Sequence, residues 1–511
     1  MSHLNLPDEQ EKGEDAFVGV LETHVDVEQA RKDATLNLLA HHKVTTFDPN
    51  SPEVKKVVRK IDLHIMTMVF SVYCLQLMDK NSLSYAAIEG IKKATHLTAS
   101  QYSWLGSIVY FGYLGGDIPA VYFLQKFDLV RYFSIMTIAW GIVVACQAAC
   151  SSFAGLAVCR FLLGFIEVCT VPACFHITAS YYTAEEQIAR VSFWYTSSAL
   201  AGVFGGFFAW CLYFAGSFGW RAIFILYGGL TICCGLIMLF FLDASPSVAR
   251  WLSEDEKVIA LERLRSTRVG SEKWGFNKEQ FKEAFTDIRI YLIFALLVST
   301  GLPNGGLTAF GPTIIQGFGF KTSQTTLLAM VPGAFETLII PIFVLIARKI
   351  TRGAAGIIAI AIGIIGTILM LTVPAHAYGA RYLGYVLTLQ YPICIIFVIT
   401  YITSGVSGTT KKFAFNCLYQ AGFAAGNIIG PQTFRGKDAP NYAPAKYTML
   451  AFIVVSGLLL GVLEAIHYYW NKKRDAQDAE DERNGVVHPI VENEEFMDLT
   501  DFQQRHFRYP L

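Results

Sequence analysis

The chain has 511 residues, 53% of them hydrophobic and 16% charged, with 41 Lys and Arg balanced by 41 Asp and Glu, and a mean hydropathy of +0.41. Soluble domains run at about a quarter charged, so this composition excludes an ordinary soluble fold and points to an all-α polytopic membrane protein. The balanced charge gives no sign of a nucleic-acid partner.

Residues 1–60 are polar and lack the basic and apolar regions of a cleavable signal peptide, so they read as a disordered tail and the first membrane helix must direct insertion. A helix that crosses hydrocarbon needs about 20 apolar residues. The first half supplies such runs near 64–87, 102–124, 132–152, 154–178, 190–214 and 221–242, and the second near 289–309, 325–346, 353–373, 382–403, 414–432 and 447–470. This predicts two six-helix bundles, 61–243 and 289–473, joined by a polar linker at 244–288 and followed by a second disordered tail at 474–511. In the linker, Leu252, Val258, Leu261 and Leu264 form an apolar stripe, which predicts an amphipathic helix on the membrane surface. Lys and Arg gather in the loops that share a side with the N-terminus, so both termini are expected in the cytosol.

The stretch "CRFLLGFIEVCTVP", residues 159–172, carries Arg160 and Glu167 inside an apolar run. Seven residues turn a helix through about 700°, so the two side chains share a face about 10 Å apart along the axis. Each charge costs about 2.5–3.5 kcal/mol at the bilayer centre on insertion scales. Taken singly, each is also explained by helix packing, and Arg160 by reaching to the interface.

Further polar groups lie in the predicted spans: Asp79, Lys80 and Asn81 in the first, Asp117 in the second, Asn304 in the seventh and Glu336 in the eighth. The eleventh holds Asn416, Gln420, Asn427 and Gln432. Their spread over both halves argues for a cavity between the bundles. A guanidinium presents a planar fork that suits a carboxylate, so Arg160 is the candidate for an anionic substrate, with Asn304, Asn416 and Gln420 as further binding groups. Burial favours the neutral form of a carboxyl, which makes Glu167 and Glu336 candidates for proton coupling. Asp79 and Lys80 read equally as an internal structural pair and as working groups, Asp79 in coupling and Lys80 in gating. Asp117, near Lys126 and Arg131, reads as a gating or packing charge. Gly422, Gly426 and Gly430 recur every fourth residue before Pro431, the spacing that lets two helix backbones touch, and Gly202, Gly205 and Gly206 do the same in the first half. Such faces suit bundles that rock, although static packing uses them too.

All eleven cysteines fall in apolar runs and read as small core residues, in no metal or disulfide spacing. No phosphate-binding loop, zinc motif or nucleophile elbow occurs. Neither an enzyme nor an ATP-driven pump is expected, and no cofactor or metal.

The six-plus-six plan resembles the major facilitator superfamily, and the local motifs are similar to its fungal anion:cation symporters, in particular the allantoate permease family. The motifs are "LMDKNSLSYAAIEGIKK", "QYSWLGSIVYFGYL", "RFLLGFIEVCTVP", "YYTAEEQIAR", "GWRAIFILYGG", "SPSVARWLSEDEKVIALERLR", "LPNGGLTAFGPTIIQGFGF", "SGTTKK" and "GNIIGPQTF". The resemblance implies proton-coupled uptake of a small organic anion across the plasma membrane by alternating access, with Arg160 and Glu167 at the substrate and coupling positions. The chain departs from the family at "DIPAVYFLQKFD", where the acidic gate is shortened to Asp117, and at "ARKITRG", which lacks the expected Asp. Two other readings remain: an exporter working by proton antiport, against which the proline-free fifth helix counts, and a nutrient sensor that binds an anion without moving it.

Overall fold

The computed structural model describes residues 51–265, 277–484, 498–505 and 507–511, and no β-strand occurs among them. Twelve long helical segments follow one another: α1 (Pro52–Ile88), α2 (Ala99–Lys126), α3 (Leu129–Cys146), α4 (Phe153–Tyr181), α5 (Ala184–Tyr213) and α6 (Gly219–Phe241), then α7 (Ile288–Gly317), α8 (Thr322–Ala347), α9 (Arg352–Thr372), α10 (Tyr378–Gly405), α11 (Thr409–Ile429) and α12 (Ala443–Arg483). Ten of these are long and apolar enough to cross a membrane. The other two are α2, diluted by glycines and Asp117, and α11, which opens on Lys411 and Lys412 and carries Asn416 and Gln420.

The strongest packing stays within each half: α3 on α6, α2 on α4 and α1 on α5 in the first, α7 on α11 and α9 on α10 and α12 in the second. Glycines set the closest approaches. A Cβ on Gly422, Gly426 or Gly430 would run into the carbonyl oxygen of Phe294, Val298 or Leu302 on α7. Gly112 and Gly164 do the same between α2 and α4, against Phe161 and Val109. The expected glycine face therefore fixes the inside of one bundle. Small residues that meet across the halves lie on α5 and α8, where a Cβ on Gly202 would stand 3.6 Å from the Cα of Gly333 and one on Gly206 2.6 Å from Met330.

Hydrogen bonds between the two bundles collect at the end away from the termini. Tyr102 Oη donates to the Ala309 carbonyl (2.6 Å), Ser107 Oγ to that of Ile428 (2.6 Å), and Gln432 Nε2 to Ser107 Oγ (3.0 Å). Phe310 stacks on Phe434 at 4.6 Å between centroids, and the Lys92 ammonium sits 4.0 Å over Tyr102. This end is sealed by aromatic rings and backbone carbonyls.

The other end differs from the sequence reading in three places. Residues 52–60, expected to be part of a disordered tail, form the first turns of α1, started by the Ser51 cap and Pro52. The linker stripe does form a helix, Glu254–Arg265, but Leu252, Val258, Leu261 and Leu264 are buried against the first bundle and not free for a membrane surface. Lys60 pairs with Glu256 (2.6 Å), and Arg263 Nη2 donates to the Tyr181 carbonyl (2.6 Å), which explains the docking. At the C-terminus α12 continues to Arg483, and residues 498–505 and 507–511 lie along the second bundle. There Asp501 is fully buried between Arg289 (2.5 Å) and Lys411 (2.9 Å), beside Asp287 and Glu283. Tyr509 stacks on His467, which is 1% exposed.

Burial by itself raises the Asp501 carboxyl, yet Arg289 and Lys411 outweigh it and hold the group below the usual carboxylate range. A depressed folded pKa contributes stability that is present at neutral pH and lost as pH falls through the folded value. Asp501→Asn is therefore expected to cost about 3–5 kcal/mol, the range for breaking one side of a buried pair, in thermal unfolding of the detergent-solubilised protein at pH 7. The difference from wild type should narrow at acid pH, and Glu254→Gln, on the exposed side of a surface pair, should change stability by less than about 0.5 kcal/mol.

Candidate functional site

Helix α4 delivers the two charges. Ser152 caps its start, accepting from the Gly155 amide, and the helix is interrupted at Val168–Cys169, directly after Glu167. Pro172 accounts for the interruption, because it offers no N–H to the Val168 carbonyl and its ring crowds that oxygen. Arg160 and Glu167 are 2% and 0% exposed, on the same inward face.

Arg160 reaches one side-chain partner, Ser82 Oγ on α1, at 3.5 Å, and its Nε has none. No carboxylate among the described residues lies within ion-pair distance of it, although Glu167 and Asp79 are close enough to be felt electrostatically. It lines a cavity of ≈ 20 Å³, room for about one water. Lys80, Ser84, Gly106 and Tyr110 of the first bundle line the same cavity, together with Gly305, Thr308 and Ala309 of α7 from the second. Both halves thus close over one guanidinium.

Glu167 and Asp79 are held by neutral donors. Tyr113 Oη donates to Glu167 Oε1 and accepts from Gln76 Nε2 at 3.1 Å, so a chain runs Gln76–Tyr113–Glu167, while Oε2 has no partner. Asp79 Oδ2 accepts from Thr231 Oγ1 on α6 at 3.0 Å, and Oδ1 is unpartnered. Lys80 points elsewhere, its ammonium 4.8 Å from the centre of the Tyr113 ring and 5.6 Å from that of Tyr110. Of the two readings of Asp79 and Lys80, the internal pair does not form, because successive helical residues point about 100° apart.

The remaining candidates are scattered. Asn304 lies one residue from the cavity-lining Gly305 and meets the Tyr391 hydroxyl. Glu336 is half-buried on α8, within electrostatic reach of Tyr195, Tyr385 and Tyr391. Asn416 and Gln420 are exposed on one face of α11, outside the cavity. Asp117 is half-buried on α2, facing Cys417 of α11 across the seam between the halves. Pro431 is buried and packs near Gly106, joining the two bundles beside the cavity. Sequence reasoning missed Gln76 and Ser82. Their placement is legible afterwards: Ser82 lies three residues past Asp79, and Gln76 three before it, on one face of α1.

The family model of the Major Facilitator Superfamily matches residues 69–431. An uncharacterized transporter of Schizosaccharomyces pombe is 34% identical, covering 94% of this chain and 93% of that protein. The allantoate permease of Saccharomyces cerevisiae is 33% identical, covering 94% of this chain and 90% of that one. Among solved structures, a bacterial homologue of the human lysosomal transporter Spinster, in an inward-facing unoccupied conformation, aligns with a TM-score of 0.60 at 16% identity, over 78% of this chain and 96% of its own.

If Tyr113 and Glu167 act as one unit, a double-mutant cycle of Tyr113→Phe and Glu167→Gln should be non-additive. Loss of the hydroxyl should cost about 1–3 kcal/mol when Glu167 is present, since it leaves a buried carboxyl without a donor, and less in the Glu167→Gln background. Thermal unfolding of the four proteins reads the coupling.

Proposed function

Because the chain belongs to the Major Facilitator Superfamily and is a multi-pass membrane transporter, we propose that it takes up a small organic anion together with a proton by alternating access. The observation that carries this reading is Arg160: a buried guanidinium with an unpartnered Nε, lining a cavity to which both bundles contribute. A buried charge that lacks a counter-ion is costly, and a carboxylate accepting the Arg160 fork supplies one with matched geometry. Lys80 adds a second positive field on the same wall.

Glu167 is the proton carrier in this proposal. It lies on the Arg160 face of α4, accepts from Tyr113 on one oxygen, and keeps the other free to take the proton. Asp79 and Glu336 are further coupling groups, the first near Arg160 and the second on the facing bundle. Opening of the sealed end requires parting of Tyr102 from Ala309 and Ser107 from Ile428, while the glycine-packed interiors move as units. The Lys and Arg distribution supports both termini in the cytosol and import from the opposite side. Allantoate, the substrate for which the S. cerevisiae relative is named, is a carboxylate and heads the candidates, followed by nicotinate and pantothenate.

Uptake of labelled allantoate, nicotinate and pantothenate into expressing cells at acid pH tests this. Accumulation of at least one is expected, collapsing with an uncoupler and falling by about tenfold or more in Arg160→Lys, because an ammonium cannot reproduce the bidentate fork. Accumulation that survives the uncoupler removes the proton from the account. Binding without accumulation removes uptake altogether.

A further inference from the structure

At the sealed end, three cysteines gather where α3 gives way to α4. Cys150 lies on the turn between them, in extended backbone, two residues before the Ser152 cap. Its sulfur is 3.9 Å from that of Cys159, in the second turn of α4, and its S–H donates at 3.5 Å to the carbonyl of Cys146. Gly155, one helical turn before Cys159, leaves room for this approach: a Cβ there would stand 3.2 Å from the Cys150 sulfur. Both Cys150 and Cys159 are free thiols and partly accessible. Cys159 immediately precedes Arg160 on α4.

We propose that Cys150 and Cys159 are a reactive pair that closes to a disulfide, pinning the α3–α4 turn to the helix that carries Arg160. The sulfurs must approach from 3.9 Å to about 2.05 Å, which a side-chain rotation and a small shift of the turn supply. With a peroxide as oxidant, the Cys150 sulfur attacks one peroxide oxygen, the O–O bond breaks, and a sulfenic acid and one water form. The Cys159 sulfur then displaces the sulfenic oxygen, which leaves as a second water with the thiol proton. Two thiols are oxidised by two electrons and one peroxide is reduced. Cys146, exposed on the last turn of α3, contributes its backbone carbonyl and not its sulfur.

The test is peroxide treatment of the purified full-length protein, alkylation in denaturant, and peptide mass spectrometry, with dithiothreitol reversal. The expected result is joint loss of alkylation at Cys150 and Cys159, recovery on reduction, and a linked peptide lighter by two hydrogens, all retained in Cys146→Ser. In Cys150→Ser, Cys159 should stay alkylatable, and in Cys159→Ser, Cys150 should end as a dimedone-reactive sulfenic acid. The proposal is overturned if both thiols of the wild-type protein remain alkylatable after peroxide. It is equally overturned if Cys150 stops at the sulfenic acid with Cys159 present, or if the bridge runs through Cys146. The wild-type and Cys146→Ser readings decide the matter even where the other variants fold poorly.

Discussion

A guanidinium withdrawn from water with no counter-ion in contact among the described residues is the constraint around which this molecule is arranged. Arg160 is 2% exposed and leans on a single serine hydroxyl at 3.5 Å. In a low-dielectric interior such a charge is tolerated when opposite charges lie near or a ligand supplies one. Asp79 and Glu167 stand near, but their own hydrogen bonds go to Thr231 and Tyr113, so the fork itself stays open. In the proposed function an anion completes this fork, since each nearby carboxylate bonds a neutral donor through one oxygen.

Holding that charge in place requires rigid walls, and the glycines provide them. With Gly112 and Gly164 letting α2 and α4 touch, and Gly422, Gly426 and Gly430 doing the same for α7 and α11, each bundle is fixed internally. At the seam the contacts are ring stacks, hydroxyl-to-carbonyl bonds and the small-residue meeting of α5 and α8, which is where the proposed alternating access would part the halves. The buried network around Asp501 belongs to the same logic, since it ties the linker, α7, α11 and the C-terminal residues of the second half into one body.

Much of this was legible in the sequence because the bilayer imposes simple rules. Twenty-residue apolar runs give the helices, and a seven-residue spacing puts Arg160 and Glu167 on one face. A glycine at every fourth position gives a close helix contact, although not which two helices meet: the face of α11 proved to belong inside the second bundle. Local composition misled where distant partners decide the outcome. The charged C-terminal segment reads as disordered until Arg289 and Lys411 are known to await Asp501. The linker stripe reads as membrane-facing until the start of α1 is found covering it. Asp79 and Lys80, adjacent in sequence, read equally as a pair and as working groups, and helical geometry removes the pair. Asn416 and Gln420 were singled out for polarity alone, and polarity says nothing about which way a helix face turns. The thiol contact between Cys150 and Cys159 follows from a turn whose path no spacing rule describes.

Binding of a matched pair of ligands tests the central role of Arg160 most directly: nicotinate, a carboxylate, against nicotinamide, its neutral amide, read as the shift in thermal unfolding of purified wild-type protein and of Arg160→Gln, with allantoate as a second carboxylate. The account predicts that a carboxylate stabilises the wild type, that the amide does not, and that Arg160→Gln responds to neither. Equal stabilisation of both proteins by the carboxylate would contradict it, and would move the anion away from Arg160.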